Sequence, residues 1–134
     1  MKIFLGGTCN GSTWRDGLTP LLGRHKFDYF NPVVEDWTPA CQEEEYRQKK
    51  ICNVHLYVIT KEMTGVFSIA EAVDSVHTDN VNCIFQVFPD GFTIPQLKSL
   101  KATCDLIHKR GGFSYVGEGL DFVIDCMDCI DRLK

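Results

Sequence analysis

No stretch of this chain stays apolar for long. Its opening run, Ile3-Phe4-Leu5, is cut by Gly6-Gly7, far short of the roughly 20 apolar residues that a membrane-spanning helix needs. It also lacks the pattern of a secretory signal, so the expectation is a cytoplasmic chain with no membrane partner. Basic clusters are missing too: 14 Lys and Arg are scattered among 18 Asp and Glu, for a net charge of −4. Nucleic-acid polymers need a concentrated positive surface, so none is expected as a partner. The spaced Gly-x-Gly-x-x-Gly of a dinucleotide fold and the lysine of a P-loop are both absent. The seven cysteines are odd in number, which argues against a disulfide framework and for free thiols in a reducing compartment. Cys126-Met127-Asp128-Cys129 has the spacing of half a zinc site, but no second Cys or His pair stands at ligand spacing elsewhere. It falls late in a helical pattern, unlike a redox motif that opens a helix after a strand. Neither metal nor cofactor is expected, and the thiols read as small buried hydrophobes.

What is present is a strict alternation of strand-length apolar runs with segments of helical period. The strands are read at Lys2 to Gly6, Phe27 to Phe30, Val54 to Ile59, Val81 to Phe88 and Phe113 to Val116. Between and after them lie helices over Thr13 to Leu22, Thr38 to Lys50, Val66 to Val76, Thr93 to Arg110 and Gly119 to Leu133. Thr38-Pro39 and Thr93-Ile94-Pro95 carry N-cap and first-turn chemistry, and Gly111-Gly112 ends the fourth helix. The second helix has the charge order of a solvated helix, with Glu43/Arg47 and Glu45/Lys49 at ion-pair spacing. With 134 residues and 44% hydrophobic content, one domain spanning 1–134 is expected. Its class is α/β, a flavodoxin-like doubly wound parallel sheet of about five strands in the order 2-1-3-4-5. The switch point of that order lies between the first and third strands.

Two loops should therefore meet there. Gly6-Gly7-Thr8 and Asn10 follow the first strand, and Thr64-Gly65 follows the third and leads into a helix carrying Ser68 and Glu71. Strand ends that hand over to helix N-termini are where α/β folds offer N–H donors to a nucleotide-like ligand. Gly6-Gly7 fits either a tight turn or close approach of a ligand to bare backbone. Ser68 and Glu71 share a helix face at i, i+3. Asn31-Pro32-Val33-Val34-Glu35-Asp36-Trp37 joins carboxylates that could hold a sugar edge to an indole that could stack on a base. A surface loop with Trp37 tucked against the second helix would look the same. His55 lies inside a strand pattern and reads as a core or edge residue.

Phe4-Leu5-Gly6-Gly7-Thr8, Trp14-Arg15, Phe30-Asn31-Pro32 and Thr64-Gly65-Val66-Phe67-Ser68-Ile69-Ala70-Glu71 together resemble the small branch of the nucleoside 2-deoxyribosyltransferase-like family, over Ile3 to about Phe88. The resemblance implies cleavage or transfer at the N-glycosidic bond of a nucleoside or nucleotide. A glutamate would attack C1′ of the sugar in the manner of a retaining glycosidase. It also implies a homodimer or larger homo-oligomer. In the better-known transferases the glutamate stands in Gly-Thr-x-Phe-Glu-Ile-Gly; alignment on Phe67 and Ile69 puts Ser68 there, and Glu71 follows one turn later. Ser68-x-x-Glu71 also resembles the Ser/Cys-x-x-Glu of TIR-type NAD glycohydrolases, which break the same type of bond. On this reading Glu71, Ser68 and Asp36 carry the chemistry, and Gly6, Gly7, Thr8, Asn10, Asn31, Trp37 and Gly65 bind substrate. The competing reading is a nucleotide-binding or sensing module that has lost turnover.

Overall fold

The computed structural model describes residues 1–9 and 11–133. Five strands, β1 (Lys2–Gly7), β2 (Asp28–Phe30), β3 (Val54–Ile59), β4 (Asn82–Val87) and β5 (Phe113–Val116), alternate with five helices. The helices are α1 (Trp14–Arg24), α2 (Pro39–Ile51), α3 (Phe67–Val76), α4 (Ile94–Lys109) and α5 (Asp121–Arg132). All the strand pairings are parallel, in the order β2-β1-β3-β4-β5, which is a flavodoxin-like sheet. Element boundaries move from the sequence reading by a residue or two, as helix ends and strand ends commonly do.

Alternation along the central strands builds two cores. Ile3, Leu5, Val54, Leu56, Val58 and Ile84 point to one face, where Leu18 and Leu22 of α1 and Val123, Met127 and Ile130 of α5 cover them. Tyr57, Ile59, Cys83, Phe85 and Val87 point to the other, under Ala72 of α3 and Leu100, Cys104 and Ile107 of α4. Every residue of β3 is buried, the signature of a strand covered on both sides. Thr38 caps α2 by accepting from the backbone of Cys41. Thr93 and Gln96 close a full capping box on α4, so both helix starts follow from local chemistry.

Helix α2 departs from the sequence reading. Arg47 pairs with Glu44 instead of Glu43, and Lys49 reaches across to Glu71 of α3 instead of Glu45. The cause is that α2 is not solvated all round. Cys41, Glu45, Gln48 and Cys52 recur at helical spacing and are at least half-buried, so the inward stripe is largely polar and Lys49 borders it.

All seven cysteines are free thiols. Burial pushes Cys83 and Cys126 each up to about 12, so these thiols stay protonated and behave as apolar fillers. No helix among the described residues is long and apolar enough to cross a membrane.

Candidate functional site

Because every strand runs the same way, the loops after β1, β2 and β3 leave from one edge of the sheet. The order β2-β1-β3 sets the β1 and β3 loops side by side at the switch point. They are stitched together: Thr8 donates its backbone N–H to Val58 O at 2.9 Å, and its hydroxyl accepts from Thr60 N–H at 3.0 Å.

Arg15 holds the end of β1 from the other side. The buried guanidinium donates to Leu5 O at 3.1 and 2.9 Å and to Thr8 O at 2.8 Å, while Trp14 Nε1 donates to Thr8 O at 3.0 Å. Burial lowers the Arg15 pKa from its ordinary value, and the nearby Cys9 partly offsets the effect. The Trp-Arg pair at the start of α1 is thus the clamp for carbonyls that the departing chain would leave buried and unbonded.

The two glycines are required by the fold itself. A Cβ on Gly6 would lie 2.6 Å from the buried Tyr57 ring, and Gly7, at φ +107°, would set one 2.3 Å from Val58 O. The consequence reaches the site, because Gly6 presents bare backbone on the face where α3 packs.

Two cavities open along this edge. One, of about 190 Å³, is bounded by Gly7, Thr8, Cys9, Thr64, Gly65, Ser68 and Glu71, with Met63 and Phe67 completing the wall. The other, of about 200 Å³, is bounded by Phe4, Gly6, Gly7, Cys9, Arg15, Pro32, Glu45, Ser68 and Glu71. Gly7, Cys9, Ser68 and Glu71 belong to both, so Glu71 stands where they meet.

Its carboxylate Oε2 is ion-paired with Lys49 Nζ, with side-chain exposures of 18% and 22% respectively. The Lys49 ammonium also lies 5.4 Å from the Phe4 ring centre, a weak cation–π contact. Glu71 falls in the second turn of α3, beyond the first-turn reach of the helix dipole, so Lys49 is its main electrostatic partner.

Beneath Lys49 runs a buried polar chain. Tyr57 OH lies 2.9 Å from Ser75 Oγ, Ser75 Oγ 2.8 Å from His55 Nδ1, and His55 Nε2 2.8 Å from Lys49 O. A carbonyl only accepts, so Nε2 must carry the hydrogen. Burial lowers the His55 pKa and leaves the ring neutral, so Nδ1 accepts from Ser75, and Ser75 in turn accepts from Tyr57. The chain fixes the last turn of α2 against β3 and with it the root of Lys49. His55 is a core residue, as its strand position suggested.

The residues singled out from sequence divide accordingly. Gly6, Gly7, Thr8, Gly65, Ser68 and Glu71 come together at the cavities. Asn31 is exposed and uses its side chain to accept from Val33 N–H at 3.0 Å; it borders a neighbouring groove with Phe30, Pro32 and Glu44. Asp36 and Trp37 line neither cavity, and Trp37 is 58% exposed rather than tucked against α2. The capping of α2 at Thr38 turns the chain before these side chains reach the switch point. Asn10 lies outside the described residues. Cys9, Arg15, Glu45 and Lys49 were not singled out as site residues. The spacing Cys41, Glu45, Gln48, Cys52 was the signal for the α2 pair, masked because its inner stripe is not apolar.

Among the described residues no group of His, Cys, Asp or Glu side chains is arranged to hold a metal. Neither curated proteins nor solved structures give a significant match to the chain. The family model described as nucleoside 2-deoxyribosyltransferase like matches residues 1–88, which spans β1 through β4 and every residue of both cavities. The chain belongs to the nucleoside 2-deoxyribosyltransferase-like family.

Proposed function

We propose that the protein cleaves or transfers at the N-glycosidic bond of a nucleoside or nucleotide, with Glu71 as the nucleophile. The supporting observation is the position of this carboxylate at the meeting point of two cavities on the switch-point edge. Glu71 Oε2 is held by Lys49, which leaves Oε1 to attack C1′, and the fixed geometry lowers the cost of alignment. Ser68, one turn away on the same face, positions the sugar or the carboxylate. Gly6, Gly7 and Gly65 offer bare backbone to ribose or phosphate, with Thr8 flanking them. Asn31, Asp36 and Trp37 belong to the rim on this reading and act on substrate only if their loop folds inward.

The two cavities are small and open, and Val66 and Phe67 beside them are 69% and 71% exposed. A second copy of the chain is proposed to complete the walls, in the cytoplasm. Light scattering that returns a mass near 15.2 kDa at micromolar concentration would remove this part of the proposal.

The alternative is a nucleotide-binding module without turnover, favoured by the neutralisation of Glu71 by Lys49 and by serine standing where the better-known transferases have glutamate. Incubation with a panel of nucleosides, nucleoside monophosphates and NAD, followed by chromatography, separates the two. Free base supports the enzyme; tight binding with no free base supports the module.

A further inference from the structure

Glu45, on α2, lines the second of the two cavities together with Glu71, on α3. Its natural partner by spacing is Lys49, since a glutamate four residues before a lysine is the favoured helical ion pair. Lys49 is turned away to Glu71. Among the described residues the Glu45 carboxylate has neither a hydrogen bond nor an ion pair, although it is half-buried. Two carboxyl groups thus share one cavity, and a single ammonium has been assigned to one of them.

We propose that Glu45 is the general acid and base of this site, the partner of Glu71 in breaking the glycosidic bond. The inference rests on the glycosidic-bond reading and adds to it a residue outside the sequence-derived site. Desolvation raises the Glu45 pKa first, the charge of Glu71 raises it further, and Lys49 offsets only part. Carboxyls whose environments push their proton affinities apart divide into acid and nucleophile.

In the first step Glu71 Oε1 bonds to C1′ and the C1′–N bond breaks, its electron pair passing to the base. The Glu45 proton moves to a ring nitrogen, and the base leaves neutral. Glu45 is left as carboxylate and Glu71 as a glycosyl ester. In the second step a water, or the N–H of an acceptor base, attacks C1′ and gives its proton to Glu45. The ester bond breaks with its electron pair returning to Glu71, and both groups regain their starting states.

A leaving group that needs no proton provides the test. An ordinary purine 2′-deoxynucleoside and its N7-methylated cation are compared as substrates for the wild type, Glu45→Gln and Glu45→Asp in single turnovers, where base release reads the first step alone. The methylated base departs neutral without an acid. Glu45→Gln is expected to slow release of the ordinary base by about 10²- to 10⁴-fold, the usual worth of general acid catalysis. Release of the methylated base should change by less than about tenfold, which also shows that the variant is folded. Glu45→Asp should recover part of the ordinary rate. Equal slowing of both substrates, or no slowing of either, overturns the role of Glu45 while leaving Glu71 in place. If the wild type releases base from neither substrate nor from the wider nucleotide panel, the glycosidic-bond reading itself fails.

Discussion

Arg15 offers a direct check on how the site is held. Changing Arg15→Met keeps a long, helix-compatible side chain and removes the guanidinium donors that grip the end of β1. Thr8 O keeps its bond from Trp14 Nε1 at 3.0 Å, whereas Leu5 O loses the Arg15 donors at 3.1 and 2.9 Å. Gly7 O loses only a long contact of 3.5 Å. A buried carbonyl stripped of its donor costs about 1–3 kcal/mol. Relief from burying the guanidinium offsets some of the loss, so the expected net is about 1–2 kcal/mol. For a chain of this size each kcal/mol lowers Tm by roughly 3–4 °C, so the variant should melt about 3–8 °C below wild type.

Arg15→Lys separates charge from geometry. An ammonium supplies a point charge without the planar fork, and it should recover no more than about half of the lost stability. Calorimetric or circular-dichroism melts of the three proteins measure this directly. A fall below about 2 °C for Arg15→Met, or full recovery by Arg15→Lys, would refute the claim that the guanidinium fork satisfies the strand-end carbonyls.

Two further outcomes follow from the same geometry. Glu71→Gln should lower base release by several orders of magnitude and leave ligand affinity within roughly tenfold, while Ser68→Ala costs far less; near-wild-type turnover in Glu71→Gln alongside loss in Ser68→Ala would move the nucleophile. His55 has its pKa lowered below its ordinary 6.5 by burial, so below that pH the unfolded chain binds more protons than the folded one. Its contribution is complete above pH 6.5 and is lost as pH falls through the folded value. Denaturant titrations between about pH 7 and pH 5 should show a slope up to about 1.4 kcal/mol per pH unit that His55→Gln flattens. Identical slopes would place the titration elsewhere, since the raised Glu45 works in the opposite sense and is common to both proteins.

The strand order and the meeting of the β1 and β3 loops were legible because both rest on period. The run Val54 to Ile59 is continuous enough to read as a central strand, and β/α alternation then implied parallel pairing and the switch point. Gly6 and Gly7 were legible as special but not as to why. The reasons, the Tyr57 ring beneath Gly6 and the positive φ of Gly7 beside Val58, depend on which residues the register brings opposite. Asp36 and Trp37 follow a strand that ends on the same edge but line neither cavity, because residue type does not say how far a loop turns before its helix begins. Glu45 and Lys49 were hidden for a different reason. Helical period reveals an inner face through apolar residues, and α2 lines its inner face with Glu, Gln, Lys and Cys.

That polar stripe ties the fold to the chemistry. A helix packed on a sheet normally gains its hold from apolar contact. Helix α2 gives much of that up on the side facing Phe4 and α3, and its position is fixed by other means: the Thr38 cap at its start and the His55 bond to Lys49 O at its end. Held at both ends, it can carry a carboxyl and an ammonium to the edge of the cavity. The cost is local stability, since Gln48 Oε1 is buried there without a partner. Strain of this kind concentrates where function requires it. On this view Lys49→Met, which removes the ammonium but keeps the helix, should do more than weaken packing. It removes the ammonium that offsets part of the rise in the Glu45 proton affinity, so the nearby charge of Glu71 acts on Glu45 without that offset. Glu45 should then keep its proton to higher pH than in the wild type, measurable as a shift in the potentiometric titration of the folded protein. A titration curve unchanged except for the missing lysine would mean that the two carboxyls do not sense each other, and the pairing of Glu45 with Glu71 would fall with it.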